Sequence, residues 1–94
     1  MVGALAKEAM GAHGPYSGPL RVVLDFHMLR PKSLKGLHPH IKKPDVDNLA
    51  KSVLDGMNKI VYDDDSQIIV LLTSKEYAME DEKPRTVVSI TRAF

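Results

Sequence analysis

The stretch Asp45-Val-Asp-Asn-Leu-Ala-Lys-Ser-Val-Leu-Asp-Gly-Met-Asn58 decides the fold of this chain. Its apolar residues recur every three or four positions, as they do along one face of an amphipathic helix. Asp45 suits the N-cap, because its carboxylate can accept hydrogen bonds from unpaired backbone N–H groups. Gly56 and Asn58 would loosen or end the helix. The pattern predicts a helix over Asp45–Asn58 that packs one face on a sheet.

Three segments around this helix have the patterns of β-strands. Residues alternate between apolar and more polar along Leu20–Met28, which predicts a strand with one buried face. Ile68–Leu72 is an unbroken apolar run, as expected of a central strand covered on both faces. We expect this strand to start at Gln67 and to end no later than Tyr77. Arg85–Thr91 alternates again and predicts the last strand.

These elements predict an α+β fold in one domain over residues 1–94. The Ala-rich segment Val2–Ala12 favours a short first helix. Prolines and a glycine make Arg30–Pro44 a long loop, and Met79–Pro84 has the composition of a hairpin turn. We expect a single mixed or antiparallel sheet of about three or four strands with two helices packed on it.

The composition is that of a small globular protein. Of the 94 residues, 44% are hydrophobic and 27% are charged, which is ordinary for a soluble domain. A core this small makes a subunit interface a natural source of further burial. The absence of cysteine excludes disulfides and thiolate zinc sites. No apolar run approaches the roughly 20 residues that span a bilayer, and no signal peptide is recognisable. We therefore expect a cytoplasmic protein without a membrane anchor.

The net charge is +1, but the charged residues are unevenly distributed along the chain. No acidic residue occurs from Phe26 to Pro44, whereas Asp45–Asp65 holds six aspartates and two lysines. The basic residues of the first segment that we predict to contact DNA are Arg30, Lys32, Lys35, Lys42 and Lys43. A basic loop attracts phosphates, and a metal ion in an acidic pocket offsets repulsion of the substrate. The alternative is a solvated, lysine-rich loop without a ligand.

Asp45 and Asp47 form the first acidic pair. Residues two apart within a helix point in different directions. At the helix start the first residue is still outside helical geometry, so both carboxylates could converge on one ion. Hard cations such as Mg²⁺ prefer oxygen ligands of this kind. The alternative is simple capping, with Asp45 as N-cap and Asp47 as a solvated residue favoured by the helix dipole.

A second acidic group, Asp63-Asp64-Asp65, precedes the apolar strand. It lacks the glycine and the glutamate of an EF-hand loop, since the sixth and twelfth positions are Ile68 and Ser74. A surface turn is the alternative interpretation. Because Asp65 sits at the rigid edge of a strand, it could face the start of the helix and join Asp45 and Asp47 around one cation.

Lys51 lies one helical turn after Asp47. Its ammonium group could neutralise charge on a phosphate oxygen or on a pentacoordinate transition state. The alternative is a salt bridge with Asp47 or Asp55, which are each four residues away.

The combination resembles the RusA-type Holliday-junction resolvases. The residues that carry the resemblance are Lys43-Pro-Asp-Val-Asp-Asn-Leu-Ala-Lys51, then Leu54-Asp55 and Asp64-Asp-Ser-Gln67 before an apolar strand. The match covers roughly residues 20 to 92. Members of the family are Mg²⁺-dependent homodimeric endodeoxyribonucleases that nick two opposed strands of a four-way DNA junction.

The resemblance implies the roles of individual residues. Asp45, Asp47 and Asp65 match the family's catalytic, metal-binding aspartates, and Lys51 matches its essential lysine. Asp64 and Asp63 are alternatives to Asp65, because the spacing between helix and turn varies. The implied cofactor is Mg²⁺, with Mn²⁺ as the alternative ion, and the implied partners are four-way junction DNA and a second copy of the chain.

Two departures from the family pattern affect these expectations. Pro44 stands where some members have a basic residue, so that one phosphate contact is expected to move to Lys43 or Lys42. The family's N-terminal strand is expected to be missing. A truncated or non-catalytic DNA-binding relative, and a nuclease for other branched DNA, are therefore the competing hypotheses.

Overall fold

The computed structural model describes residues 15–94 as an α+β fold. In chain order its elements are β1 (Leu20–Met28), α1 (Val46–Met57), β2 (Ile68–Tyr77) and β3 (Arg85–Arg92). A short 3-10 turn, Asp65–Gln67, precedes β2. The fold class is confirmed, with three strands and one helix in this range. The helix expected over Val2–Ala12 lies outside the described residues.

The three strands form one mixed sheet in the order β2-β1-β3. β1 pairs in parallel with β2, from Leu20 opposite Ile68 to Met28 opposite Tyr77. It pairs in the antiparallel direction with β3, where His27 lies opposite Arg85. The strand with the alternating pattern is therefore the centre of the sheet.

The core lies between β1 and α1. The alternation predicted for β1 is confirmed, because Leu20, Val22, Leu24 and Phe26 are all buried on one face. They pack in one cluster with the buried stripe of α1, which consists of Ala50, Val53 and Met57. Each large apolar side chain buried in this way contributes roughly 1.5–3 kcal/mol. This contact fixes which face of the helix meets the sheet.

The prediction of a central strand at Ile68–Leu72 was wrong, because β2 is an edge strand of the described sheet. Its apolar run is half exposed, with Ile69 at 53%, Val70 at 38%, Leu71 at 41% and Leu72 at 49%. Hydrophobicity alone does not identify a strand's neighbours. A continuous apolar run can also lie at an edge that another surface covers.

The prediction of a hairpin between the last two strands was also wrong. β2 and β3 lie on opposite sides of β1, so the residues between them cross over its C-terminal end. Ala78 anchors this crossing, since it is buried and its N–H donates to the carbonyl of Met28 at 2.8 Å. Turn composition at Met79–Pro84 identified the chain reversal but not the strand that it passes.

The direction of α1 follows from the parallel pairing of β1 and β2. A helix that joins two parallel strands has to run back antiparallel to them. The residues after α1 accordingly lie beside the segment before β1, where the Tyr16 N–H donates to the carbonyl of Val61 at 2.7 Å. No helix in residues 15–94 is long and apolar enough to cross a membrane.

Because the core lies between β1 and α1, a cavity made there should lower the free energy of unfolding. Replacing Leu24, which is 0% exposed, by alanine should lower the free energy of unfolding by about 2–5 kcal/mol. Urea unfolding measures this change. The control is Val87→Ala on β3, a residue that is 40% exposed, for which we expect a loss under about 1 kcal/mol. Equal losses for the two variants would contradict this placement of the core.

Candidate metal and nucleic-acid site

The start of α1 presents two carboxylates to solvent. Asp45 has extended backbone geometry at the N-cap, and its carbonyl accepts a hydrogen bond from the N–H of Leu49 at 3.1 Å. Its side chain, however, accepts no capping hydrogen bond. Asp47 follows in the first turn and is exposed. Capping therefore does not account for Asp45, whose carboxylate stays available to a ligand.

Lys75 positions the start of α1. This half-buried lysine lies near the C-terminal end of β2, opposite Phe26 on the helix side of the sheet. Its Nζ donates to the carbonyl of Pro44 at 3.0 Å and to that of Lys42. Sequence reasoning missed Lys75. The signal that could have found it is a single lysine at a sheet position that faces the core.

Arg30 has a structural role that its sequence position did not indicate. Its Nε donates to the carbonyl of Ala78 at 2.8 Å, and its Nη1 donates to those of Gly36 at 2.9 Å and Leu34 at 3.2 Å. The guanidinium group also lies 5.9 Å from the centre of the Tyr77 ring. Arg30 therefore holds the long loop against the C-terminal end of β2, a structural role in addition to the DNA contact that the sequence predicts.

The four lysines predicted to contact DNA are exposed. Lys32 and Lys35 lie in the loop that Arg30 organises, and Lys35 approaches Glu80 at 4.0 Å. Lys42 and Lys43 directly precede the start of α1. The basic loop and the Asp45–Asp47 pair thus lie at the same end of the sheet, where the parallel strands β1 and β2 finish.

The second acidic group lies in the turn before β2. Asp64 caps this turn: its carboxylate accepts the N–H of Ser66 at 2.9 Å, and its own N–H donates to Gln67 Oε1 at 2.9 Å. The bond from Ser66 lowers the pKa of the Asp64 carboxyl group. Gln67 Nε2 donates to the carbonyls of Tyr16 and Gly18, both at 3.0 Å. These bonds fix the turn at the N-terminal end of β1.

Asp65 is half-buried beside Tyr62. Its Oδ1 is shielded from solvent and has no hydrogen-bond partner among the described residues. The buried Tyr62 hydroxyl donates to the carbonyl of Leu54 at 3.0 Å. Burial raises the pKa of Tyr62 well above its usual value, and it is raised further by hydrogen bonding to the Asp65 side chain and by the charges of Asp65, Asp55 and Asp64. Asp65 therefore lies close to Tyr62 and to the C-terminal end of α1.

The structure does not bring the three predicted metal ligands together within one chain. Asp45 and Asp47 lie at the start of α1, and Asp65 lies beyond its end. A rise of 1.5 Å per residue separates Asp47 from Met57 by about 15 Å along the helix. Among residues 15–94, no three histidine, aspartate or glutamate side chains form a group that could hold a metal ion. The expectation that Asp65 faces the start of the helix was wrong for a single chain.

The crossing helix α1 presents two exposed carboxylates beside a basic loop. Carboxylates suit a divalent cation, and exposed lysines suit phosphate groups. A family model described as "Endodeoxyribonuclease RusA" matches residues 1–91. The chain belongs to this RusA family, which confirms the resemblance seen in the sequence.

One relative is an uncharacterized protein, YqaN, of Bacillus subtilis (strain 168). The two sequences are 46% identical over 85 residues, which cover 79% of this chain and 58% of the relative. This chain therefore spans somewhat more than half the length of the curated protein that it matches.

The two hydrogen bonds of Lys75 predict a test of how α1 is positioned. Replacing Lys75 by methionine keeps most of the aliphatic stem but removes both bonds, and should lower the free energy of unfolding by about 1 kcal/mol. Urea unfolding provides the measurement. The matched control is Lys83→Met in the exposed turn between β2 and β3, which should change the stability by less than about 0.5 kcal/mol. Identical stabilities for the two variants would contradict the role assigned to Lys75.

Proposed function

We propose that this chain is a metal-dependent endodeoxyribonuclease that resolves four-way DNA junctions by paired, symmetric nicks in recombination and repair. The observation that carries the proposal is the Asp45 carboxylate, which makes no capping hydrogen bond. It lies beside Asp47 at the start of α1, next to a basic loop. Membership of the RusA endodeoxyribonuclease family supports it. We further propose that residues 1–94 act as one nuclease domain, that the protein is a homodimer, and that it works in the cytoplasm.

Asp45, Asp47 and Asp65 are the proposed metal ligands. Their oxygen donors suit Mg²⁺, with Mn²⁺ as the alternative ion. The Oδ1 of Asp65 is shielded from solvent, and its carboxylate lies against the Tyr62 side chain. Within one chain the set is divided, because only Asp45 and Asp47 lie at the same end of α1. A bound divalent ion would supply Lewis-acid polarisation of the phosphate and acidification of a water.

Lys51 is the proposed stabiliser of negative charge on the phosphate. It is exposed one turn after Asp47 on α1. In the described part of the chain no ion pair joins it to Asp47 or Asp55, so the salt-bridge alternative has no support there. Its ammonium group can therefore approach a non-bridging phosphate oxygen.

The exposed lysines of the long loop are the proposed DNA contacts. Lys32, Lys35, Lys42 and Lys43 are exposed on the same end of the sheet as the carboxylate pair. Contacts of lysine with phosphate are salt-dependent and carry no sequence information. Selection of a junction would then come from the shape and deformability of the DNA. Arg30 positions this loop through Nε and Nη1, and it stays among the proposed DNA contacts.

Two other functions remain as competing candidates. One is a non-catalytic DNA-binding role. Alternatively, the protein acts on other branched DNA. Incubation of four-way, three-way and linear DNA with Mg²⁺ separates the three cases. Preferred nicking of the four-way junction supports our proposal, and binding without nicking supports the first alternative.

The carboxylate pair predicts that binding and cleavage can be separated. Replacing Asp47 by asparagine keeps the shape of the side chain but removes a charged ligand. We expect junction cleavage to fall by about 100-fold or more, since metal stabilisation of the transition state supplies several kcal/mol. Junction affinity in Ca²⁺ should stay within about threefold, because the phosphate contacts are unchanged.

Single-turnover cleavage of a labelled junction and a gel-shift titration provide the two measurements. Asp81→Asn, in the exposed turn after β2, is the control and should cleave as the wild type does. Parallel loss of binding and cleavage in Asp47→Asn would argue against a metal-centred role for this residue.

A further inference from the structure

We infer that Leu37 and Ile41 form an apolar wedge that packs against unstacked bases at a branch point of DNA. Both side chains belong to the long basic loop that precedes α1. The inference rests on the proposed function and deepens it, because it states how the protein distinguishes a branch point from linear duplex.

The first argument is the exposure of the two side chains. Leu37 is 89% exposed and Ile41 is 86% exposed, more than any other large apolar side chain of residues 15–94 except Phe94. Single exposed apolar residues are ordinary on a protein surface. Two such residues in one loop indicate a contact with another molecule, because burial of apolar surface on association is favourable.

The second argument is that the backbone on either side of the wedge is held in place. Before the wedge, Arg30 Nη1 donates to the carbonyl of Gly36 at 2.9 Å. After the wedge, Lys75 Nζ donates to the carbonyl of Pro44 at 3.0 Å and to that of Lys42. A loop that is already ordered loses less conformational entropy when a ligand binds, which favours binding.

His40 orients the segment between these two anchors. It is half-buried, and its ring lies 4.7 Å from the ring of Tyr77, centre to centre. The next residue, Ile41, is exposed, and so is Leu37 three residues earlier. One side of the segment therefore contacts the sheet, while the two wedge side chains extend into solvent.

The third argument is charge, which favours DNA as the partner. Phe26–Pro44 contains no acidic residue, and the exposed Lys42 and Lys43 directly follow Ile41. Apolar side chains beside lysines suit a polymer that offers phosphates and the faces of bases together. The match to an endodeoxyribonuclease family favours DNA over an anionic membrane, which has phosphates and an apolar interior as well.

Acidic residues on one side of the loop indicate the direction from which DNA approaches. An open cleft beside Leu37 is also lined by Glu80 and Asp81. These carboxylates repel phosphate, whereas the lysines next to Ile41 attract it. Ile41 is therefore the leading residue of the wedge, and Leu37 supports it.

The fourth argument is the position of Ile41 relative to the carboxylate pair. Asp45 follows Ile41 by four residues, so their Cα atoms lie at most about 14 Å apart. One strand of a duplex advances about 3.4 Å per nucleotide along the axis. Ile41 can therefore reach a base within about four nucleotides of a phosphate held at Asp45. The wedge acts close to the phosphate that the proposed site would cleave.

The aliphatic character of the wedge suits a branch point. Proteins that bind single strands stack bases on aromatic rings, but the loop from Leu29 to Pro44 contains no Phe, Tyr or Trp. Proteins that kink a duplex insert side chains such as Leu and Ile between base steps, at the cost of unstacking. The stack is already interrupted at a branch point, so this cost is lower there than in linear duplex. The wedge therefore favours branched DNA.

Fluorescence of 2-aminopurine at the branch point tests the wedge, because this base becomes brighter when it is unstacked. With a four-way junction in Ca²⁺, we expect the wild type to raise the fluorescence about twofold or more. Ile41→Ser should lose at least about half of this rise, and Leu37→Ser should lose a smaller part.

Phe94→Ser is the matched control. Phe94 is 94% exposed. It lies at the opposite end of the sheet, since the N–H of the preceding Ala93 donates to the carbonyl of Pro19 at 3.0 Å. This variant removes a larger apolar side chain and should still give the fluorescence of the wild type.

Affinities for branched and linear DNA provide a second measurement. Ile41→Ser should bind the junction about tenfold more weakly, because the buried isoleucine contributes to that complex alone. Its affinity for linear duplex should stay within about twofold, and the salt dependence of both should be unchanged, because no phosphate contact is lost. Lys42→Met should instead weaken both complexes equally and reduce the salt slope by about one.

The outcomes separate this inference from the proposed function. A wild type that nicks junctions without a rise in fluorescence would overturn the wedge and leave the nuclease standing. Equal rises for the wild type and Ile41→Ser would do the same. A rise that depends on Ile41, without nicking of any DNA, would support the wedge and refute the nuclease.

Three further measurements test whether something other than DNA covers the wedge. A lower midpoint of urea unfolding for Ile41→Ser would mean that the side chain packs on its own chain. A changed elution volume in size exclusion would mean that it contacts a second copy. Binding to anionic phospholipid vesicles that is lost in Ile41→Ser, with DNA binding unchanged, would mean that it enters a membrane. Each of these results would overturn the inference.

Discussion

The parallel pairing of β1 with β2 is the constraint on which the rest of this structure depends. Two parallel neighbours have to be joined by a connection that returns from one end of the sheet to the other, and α1 makes that return. The buried stripe of α1 packs on β1, which fixes the helix along its whole length. Whatever lies at the start of the helix is thereby placed at the C-terminal ends of the parallel strands. Whatever follows the helix is placed at their N-terminal ends.

This constraint organises the charges of the chain into two separate ends. At one end the lysine-rich loop meets Asp45 and Asp47, with Arg30 and Lys75 bonded to backbone carbonyls that hold the loop and the helix start in place. At the other end Asp65 lies beside the buried Tyr62, in a turn fastened by Gln67. The first end suits phosphate and cation binding, and the second offers a carboxylate with an unsatisfied oxygen. In residues 15–94, neither end forms a group of three acidic or histidine side chains that could hold a metal ion.

Much of the fold was predictable because its signals are local. The alternation of β1 and the apolar stripe of α1 report burial directly, and their predicted boundaries agree with the structure to within one residue. The edge position of β2 was not predictable from its apolar run, because the same run suits burial by a neighbouring strand or by a second molecule. The candidate site was likewise predictable only in part. The residue types near Asp45 indicated phosphate chemistry, whereas the distance to Asp65 depends on strand order, which no local pattern encodes. Arg30 shows a related limit, since an arginine in a basic loop can bind backbone carbonyls as readily as phosphate.

The distance between the two acidic groups within one chain is the central claim, and it can be measured directly. The chain has no cysteine, so Asn48→Cys and Ser66→Cys can carry one nitroxide label each beside Asp47 and Asp65. Dilution with an excess of unlabelled wild type leaves only the intramolecular distance in a double electron–electron resonance experiment. The antiparallel course of α1 predicts a distance of about 20 Å or more. A distance under about 12 Å would place both acidic groups at one end of a single chain and contradict the account.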